Sequence, residues 1–169
     1  MTYDPYALAF PAATFQLTSA DFIAGGPLPA SAYATDDTAG ESPELSWGPL
    51  PEGTRSLVVT AFDADSPIPG GLWHWALKDV PATLTGLARG AAVPAGATAL
   101  PNDLGVLGYA GARPPAGTGV HRMFVCVTAL DVETLDLPDG ASRALLNIQL
   151  IPHTLGRAVL VGTSTAPSA

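Results

Sequence analysis

Cysteine is almost missing: Cys126 is the only one in 169 residues, so no intrachain disulfide can form and stability must come from a packed core. It lies inside the apolar run Met123 to Ala129, with only His121 and Arg122 nearby to favour a thiolate, and is read as a small buried hydrophobe. Basic residues are scarce as well. Seven Lys and Arg face 15 Asp and Glu, for a net charge of −8 and no basic run. Phosphate backbones and anionic bilayers are repelled on average by such a chain, which removes nucleic acid as an expected partner. A small anionic head group is not removed, because it needs only a few donors at the bottom of a pocket. No stretch approaches the roughly 20 apolar residues of a membrane span, so no stable membrane insertion is expected. The opening MTYDPYALAF lacks the basic segment and continuous apolar core of a signal peptide, and the expected location is cytoplasmic.

Catalytic fingerprints are missing too. There is no GxSxG, P-loop or dinucleotide motif, and Ser66 before a proline is better explained by a turn. The three histidines are scattered; His74, His121 and Asp63 would make a two-His-one-carboxylate set, but without HxH or HExxH spacing. Neither a metal nor a cofactor is expected.

What the chain does have is turns. Seventeen prolines and 18 glycines, with 47% hydrophobic residues, point to many short elements around one core, hence a mainly β architecture. The expected layout is a single domain over 1–169, with an N-terminal arm at 1–13 and a flexible tail at 163–169. Strands are predicted over Phe15–Thr18, Leu45–Trp47, Ser56–Phe62, Leu72–Leu77 with an end at Val80-Pro81, Phe124–Leu130 and Ala158–Gly162. Ser142 is placed to cap a helix over Arg143–Leu150, with a second turn over His153–Ala158; residues 83–99 read as connection.

The chemistry concentrates in Phe62 to Trp75, FDADSPIPGGLWHW, where a strand, a Pro/Gly turn and a second strand present Asp63, Asp65 and His74 together. The carboxylates either cap backbone amides of the turn or belong to a site, and these residues alone leave both open. A second segment, residues 101–119 (PNDLGVLGYAGARPPAGTG), is too long and irregular for a hairpin; Asn102, Asp103 and Tyr109 argue that it is ordered. It ends at His121, at a strand mouth. Asp63, Asp65, His74 and His121 amid Trp73, Trp75 and Tyr109 describe an apolar pocket with a few convergent polar groups. Carboxylates beside imidazoles would tend to hold the histidines protonated, which suits either an anion or acid–base chemistry.

These segments resemble a known family. DADSP followed by GLWHW is similar to the DPDAP…WxHW signature of the phosphatidylethanolamine-binding proteins, and GARPPAGTGVHRM to their Gly/Pro-rich loop ending in His-Arg-Tyr; SPELSW and NDLGVLGYAG also resemble family segments. Order and spacing agree from about Phe15 to Gly162, and the short C-terminus looks most like the bacterial, Raf kinase inhibitor-like branch. The resemblance implies a large antiparallel sheet packed on a smaller one with short peripheral helices, an anion pocket for phosphate-type head groups, and a possible homodimer. It also implies that Pro114 lines the mouth and that Gly111 lets backbone approach the ligand. Three positions depart from the pattern: Met123 replaces the tyrosine, making the mouth more apolar, Ala64 replaces the proline between the aspartates, and Glu41 replaces a common asparagine. Two functions are carried forward. One is a small-molecule binding protein using Asp63, Asp65, Trp73, His74, Tyr109, Gly111, Pro114, His121 and Met123. The other is an enzyme in which Asp63, His74 and His121 move protons for a dehydration, isomerisation or cyclisation of an apolar biosynthetic intermediate.

Overall fold

The computed structural model describes residues 3–166. In chain order the elements are β1 (Leu17–Thr18), β2 (Leu45–Trp47), β3 (Ser56–Asp63), β4 (Leu72–Pro81), β5 (Gly86–Leu87), β6 (Thr98–Ala99), β7 (Val120–Leu130), α1 (Arg143–Leu150) and β8 (Thr154–Thr165). One antiparallel sheet has the order β6-β4-β3-β7-β8 and the other β1-β2-β5. This is the mainly β arrangement of a large sheet on a smaller one that was expected, with one short α-helix at the periphery and two single 3-10 turns.

β3 is the centre of the large sheet, and all eight of its residues are buried. Its side chains alternate between two apolar layers. Leu57, Val59 and Ala61 face the small sheet with Val125, Val127, Trp75 and Leu77, meeting Leu45, Trp47 and Leu87 from the other side. Trp47 is core, and its indole N–H donates to the Leu84 carbonyl at 2.8 Å, which satisfies its one polar side-chain atom. On the opposite, outer face Val58 packs with Leu130, Leu135, Leu146 and Leu150 beneath α1. α1 begins where the sequence placed it: Ser142 Oγ accepts the Leu145 amide at 3.1 Å.

β4 is two residues longer than β3, and the register absorbs the excess at two irregularities. The first lies between Leu57 and Val59, where Asp79 adopts φ 58° and its carboxylate is held by the Leu135 amide and the Lys78 ammonium. The second lies between Ala61, paired with Trp75, and Phe62, paired with Trp73, so His74 is the extra residue.

Three readings of the second half need correction. The turn expected over His153–Ala158 is only a 3-10 turn, Ile151–His153, and Thr154 already opens β8. The strand expected over Ala158–Gly162 is the middle of a 12-residue strand. Residues 163–165, expected as the start of a flexible tail, pair with Arg122, His121 and Val120; residues 167–169 of that tail lie outside the described residues. The hydrophobic pattern missed most of β8 because four of its five inward positions are small, Gly156, Ala158, Gly162 and Ser164, and only Leu160 is a large apolar side chain. Small is what the packing demands, since a Cβ on Gly162 would stand 2.5 Å from Leu28 and 3.0 Å from Phe22. Residues 83–99, read as connection, also contribute the two-residue strands β5 and β6.

Removing a buried branched side chain at the centre of this sandwich leaves a cavity that both sheets must close around. Leu57→Ala is expected to lower the unfolding free energy by about 3 kcal/mol in urea denaturation. Ile23→Ala, at a residue 77% exposed, should change it by no more than about 0.5 kcal/mol.

Candidate active or ligand-binding site

Three strand features converge at one end of the large sheet. Asp63 is the last residue of β3 and pairs with Met123 on one side and Leu72 on the other. His121 stands two residues before Met123 on β7 and therefore on the same face as Asp63. His74 is the extra residue on β4. All three are almost fully enclosed, at 7%, 1% and 3% exposure.

Burial of such groups is tolerated only with partners. His121 Nδ1 donates to Asp63 Oδ2 at 2.7 Å, and His121 Nε2 lies 2.8 Å from the Thr118 hydroxyl. Thr118 Oγ1 is also 2.7 Å from the Pro115 carbonyl. The hydroxyl has one proton. Either it goes to Pro115, and His121 Nε2 carries the hydrogen between imidazole and hydroxyl, or it goes to Nε2 and the imidazole is neutral. Asp63, His121 and Thr118 thus form a continuous hydrogen-bonded chain from β3 to the Pro/Gly loop. The other oxygen of Asp63 accepts the Asp65 amide at 2.9 Å, so Asp63 both caps the turn and belongs to the cluster.

His74 is different. Its Nδ1 lies 2.7 Å from the Ala110 carbonyl, which can only accept, so Nδ1 carries the proton. Its Nε2 is then a lone pair, buried and without any partner among the described residues. Burial, the largest influence, pushes the His74 pKa below the ordinary histidine value, partly opposed by the Ala110 carbonyl and by the charge of Asp63. The expectation of protonated histidines is therefore corrected at His74. The ring is held neutral, with an acceptor pointing into an otherwise satisfied enclosure.

The remaining expected residues divide. Asp65 is occupied by Arg122, with contacts of 2.6 Å from Nε, 2.7 Å from Nη2 and 3.0 Å from the backbone amide. That guanidinium is the main reason its carboxyl lies below the usual range. Met123 lines the inner core opposite Asp63 and is 2% exposed, so it is an apolar floor to the cluster. Trp73 does not join the set: it pairs with Phe62 on the outer face, ring centroids 4.6 Å apart, because the extra residue returns the strand to the other side. Tyr109 donates its hydroxyl to the Ala32 carbonyl at 3.1 Å and meets Trp75 edge to face, and burial raises its pKa far above the usual phenol value. Gly111 permits a close approach, but of backbone within the chain: a Cβ there would stand 2.3 Å from the Ala34 nitrogen. Pro114 lines an open cleft with Tyr33, Asp36, Arg113 and Thr165, beside the cluster's loop.

Sequence reasoning missed Thr118, the Ala110 carbonyl and Leu72, the cross-strand partner of Asp63. Only Thr118 left a usable signal, three residues before a histidine in a Gly-bounded turn. The ordered character expected of residues 101–119 has a clear cause in Asn102, which is 5% exposed. Its Oδ1 accepts the Leu104 and Val106 amides, and its Nδ2 donates to the carbonyls of His74 and Gly108. Asp103 accepts the Trp73 amide at 2.8 Å, and the Ala110 amide donates to the His74 carbonyl at 2.9 Å. The loop is thereby sewn to β4 at Trp73 and His74. Among the described residues no group of three or more His, Cys, Asp or Glu is arranged to hold a metal ion, and no helix is long and apolar enough to cross a membrane.

A family model described as phosphatidylethanolamine-binding protein matches residues 18–165. The chain is 40% identical to YbhB of Escherichia coli over 122 residues, 69% of this chain and 77% of that protein. It is 35% identical to YbcL of the same organism over 156 residues, 87% of this chain and 85% of that protein. The crystal structure of YbcL, described as a new member of the mammalian PEBP family, covers 92% of this chain and 100% of its own with a TM-score of 0.83 and 34% identity. LppC of Mycobacterium tuberculosis, named as a candidate lipoprotein, is 33% identical over 163 residues, 96% of this chain and 78% of that protein.

A histidine whose folded pKa lies below its unfolded value binds its proton more weakly in the folded state. Its contribution to stability is complete above the unfolded pKa of about 6.5 and is lost as pH falls from there toward the folded pKa. Urea denaturation should show stability decreasing as pH falls below the mid-sixes, and His74→Gln should remove that part of the slope. An identical slope in the variant would contradict the neutral, buried assignment.

Proposed function

Because the chain belongs to the phosphatidylethanolamine-binding protein family, we propose that it binds a small molecule through a phosphate-type head group seated at His74, Asp63 and His121. One observation carries this reading: His74 Nε2 is a buried acceptor with nothing to accept from among the described residues. Leaving such a group unsatisfied costs about 1–3 kcal/mol, and a ligand that supplies a donor recovers it.

The same geometry restricts the protonation of the head group. The neutral Nε2 offers a lone pair, Asp63 offers carboxylate oxygens, and Arg122 is already engaged by Asp65. A fully deprotonated dianion has no hydrogen to give His74. The monoanion of a phosphate monoester does, and its remaining oxygens can take the place of the Thr118 hydroxyl at His121 Nε2. The bound form is therefore the hydrogen-bearing monoanion.

Sulfate, which carries no proton at these pH values, separates this reading from general anion binding. Calorimetric titration near pH 6 should give binding of inorganic phosphate and phosphorylethanolamine, with sulfate at least about tenfold weaker, a difference of about 1.4 kcal/mol. Phosphorylethanolamine affinity should fall as pH rises from 6 to 8, because the second pKa of a phosphate monoester is about 6 and the monoanion disappears. His74→Ala should abolish the preference over sulfate. Equal binding of the two anions, or no binding of either phosphate ligand at millimolar concentration, would defeat the proposal.

A second reading, acid–base catalysis on an apolar intermediate, is supported by the Asp63–His121–Thr118 chain, in which a carboxylate orients an imidazole whose outer nitrogen touches a mobile proton. Turnover that survives Asp63→Ala unchanged would exclude it. A cytoplasmic location belongs to the same proposal and is checked by cell fractionation, with the membrane fraction as the contrary outcome.

A further inference from the structure

We infer that the outer face of the five-stranded sheet carries a second ligand pocket, built for a small amphipathic carboxylate and separate from the Asp63–His74–His121 site. The cavity measures about 460 Å³, within the range of about 300–1,000 Å³ typical of small-molecule sites. The N-terminal arm from Tyr3 to Phe10 covers one side, and the exposed edge of α1 with Ile148 and Ile151 forms the other. Phe62 and Trp73 make an aromatic end wall. Thr60, Cys126 and Thr128, all buried, form the floor.

Its electrostatics are unusual for this chain. With 15 acidic residues in the sequence, none lines the cavity, whereas Arg157 does. Arg157 sits opposite Thr128 in the register, so its side chain rises from the same face as the floor. Its Nη1 donates to the Phe10 carbonyl at 2.8 Å and the guanidinium carbon lies 6.0 Å from the Tyr6 ring, but among the described residues no carboxylate pairs with it. One planar guanidinium matches one carboxylate. A doubly charged phosphate would bring more charge into an apolar enclosure than a single cation balances. The fit is therefore a monoanion on Arg157 with an apolar body lying toward Phe62 and Trp73. This site shares β3 and β4 with the first cluster but uses the other face, so the two do not compete for a side chain.

The test compares two carboxylates with their neutral amides: cinnamate with cinnamamide, and octanoate with octanamide. Calorimetry on the full chain should give binding of at least one acid, with its amide at least about tenfold weaker. Arg157→Gln should remove that preference, and Arg157→Lys should keep it with reduced affinity. Cys126 is the only cysteine and lies on the cavity floor, so saturating carboxylate should slow its modification by N-ethylmaleimide in the unaltered protein. Because Arg157 also holds the arm, thermal melts accompany both variants; if Arg157→Gln unfolds, Arg157→Lys and the protection of Cys126 decide. The inference is overturned if neither acid binds at millimolar concentration or if acid and amide bind alike. It is equally overturned if saturating acid leaves Cys126 modification unchanged.

Discussion

The one extra residue that β4 carries opposite Ala61 and Phe62 decides which side of the large sheet each member of the Trp73-His74-Trp75 run serves. In an uninterrupted strand Trp73 and Trp75 would share a face and His74 would oppose both. The irregularity separates them instead. Trp75 goes into the core between the sheets, Trp73 goes to the outer face against Phe62, and His74 is left where the docked loop supplies the Ala110 carbonyl. Bulges bend a strand and re-aim side chains, which is why they recur beside functional sites. Here one such feature sets up the enclosed Asp/His cluster on one face and the aromatic end of a cavity on the other.

Around that feature the chain buries groups that would otherwise favour water. Asp63, His121 and Thr118 satisfy one another, and Asp65 with Arg122 forms a second, partly exposed pair beside them. A half-satisfied polar network is less stable than an apolar core of the same volume, so each completed partner matters energetically. Among the described residues two buried side-chain polar atoms lack a partner, Arg143 Nη1 at α1 and His74 Nε2, and the latter leaves an unsatisfied acceptor in this cluster. Retained strain or unmet hydrogen bonding tends to concentrate where a ligand or reaction completes it. The surrounding framework, with β3 buried on both faces and Asn102 sewing the long loop to β4, is rigid enough to hold that arrangement.

Several residues that looked functional have structural work. Tyr109 and Gly111 join the loop to the backbone at Ala32 to Ala39, through a hydroxyl-to-carbonyl bond, a packing distance that excludes a Cβ, and the Gly111 amide to the Ala39 carbonyl at 2.7 Å. Asp65 holds Arg122, whose guanidinium also covers the Phe124 ring at 5.3 Å. Their effect on the cluster is indirect: they fix the segments that carry the Ala110 carbonyl and His121. Met123, the cross-strand partner of Asp63, places a thioether next to it, so that side of the enclosure offers no hydrogen-bond donor from this side chain.

The sequence by itself determined the mainly β class, the central strands, the capped helix and the two segments whose Asp63 and His121 meet in the structure. It could do so because these rest on local signals: β-branched alternation at Ser56 to Phe62, Ser142 before an amphipathic run, and polar residues at strand ends beside Pro/Gly turns. The family motifs added that Asp63, His74 and His121 belong together, although they are distant in the chain. The face of Trp73, the partner of Asp65, the neutral form of His74 and the full length of β8 were decided only by the tertiary structure. Each depends on a register shift, a loop docked from elsewhere, or small residues packed against loops from the other half of the chain. Side-chain periodicity counts positions along one strand; it carries no information about an inserted residue or about what will cover the strand once folded.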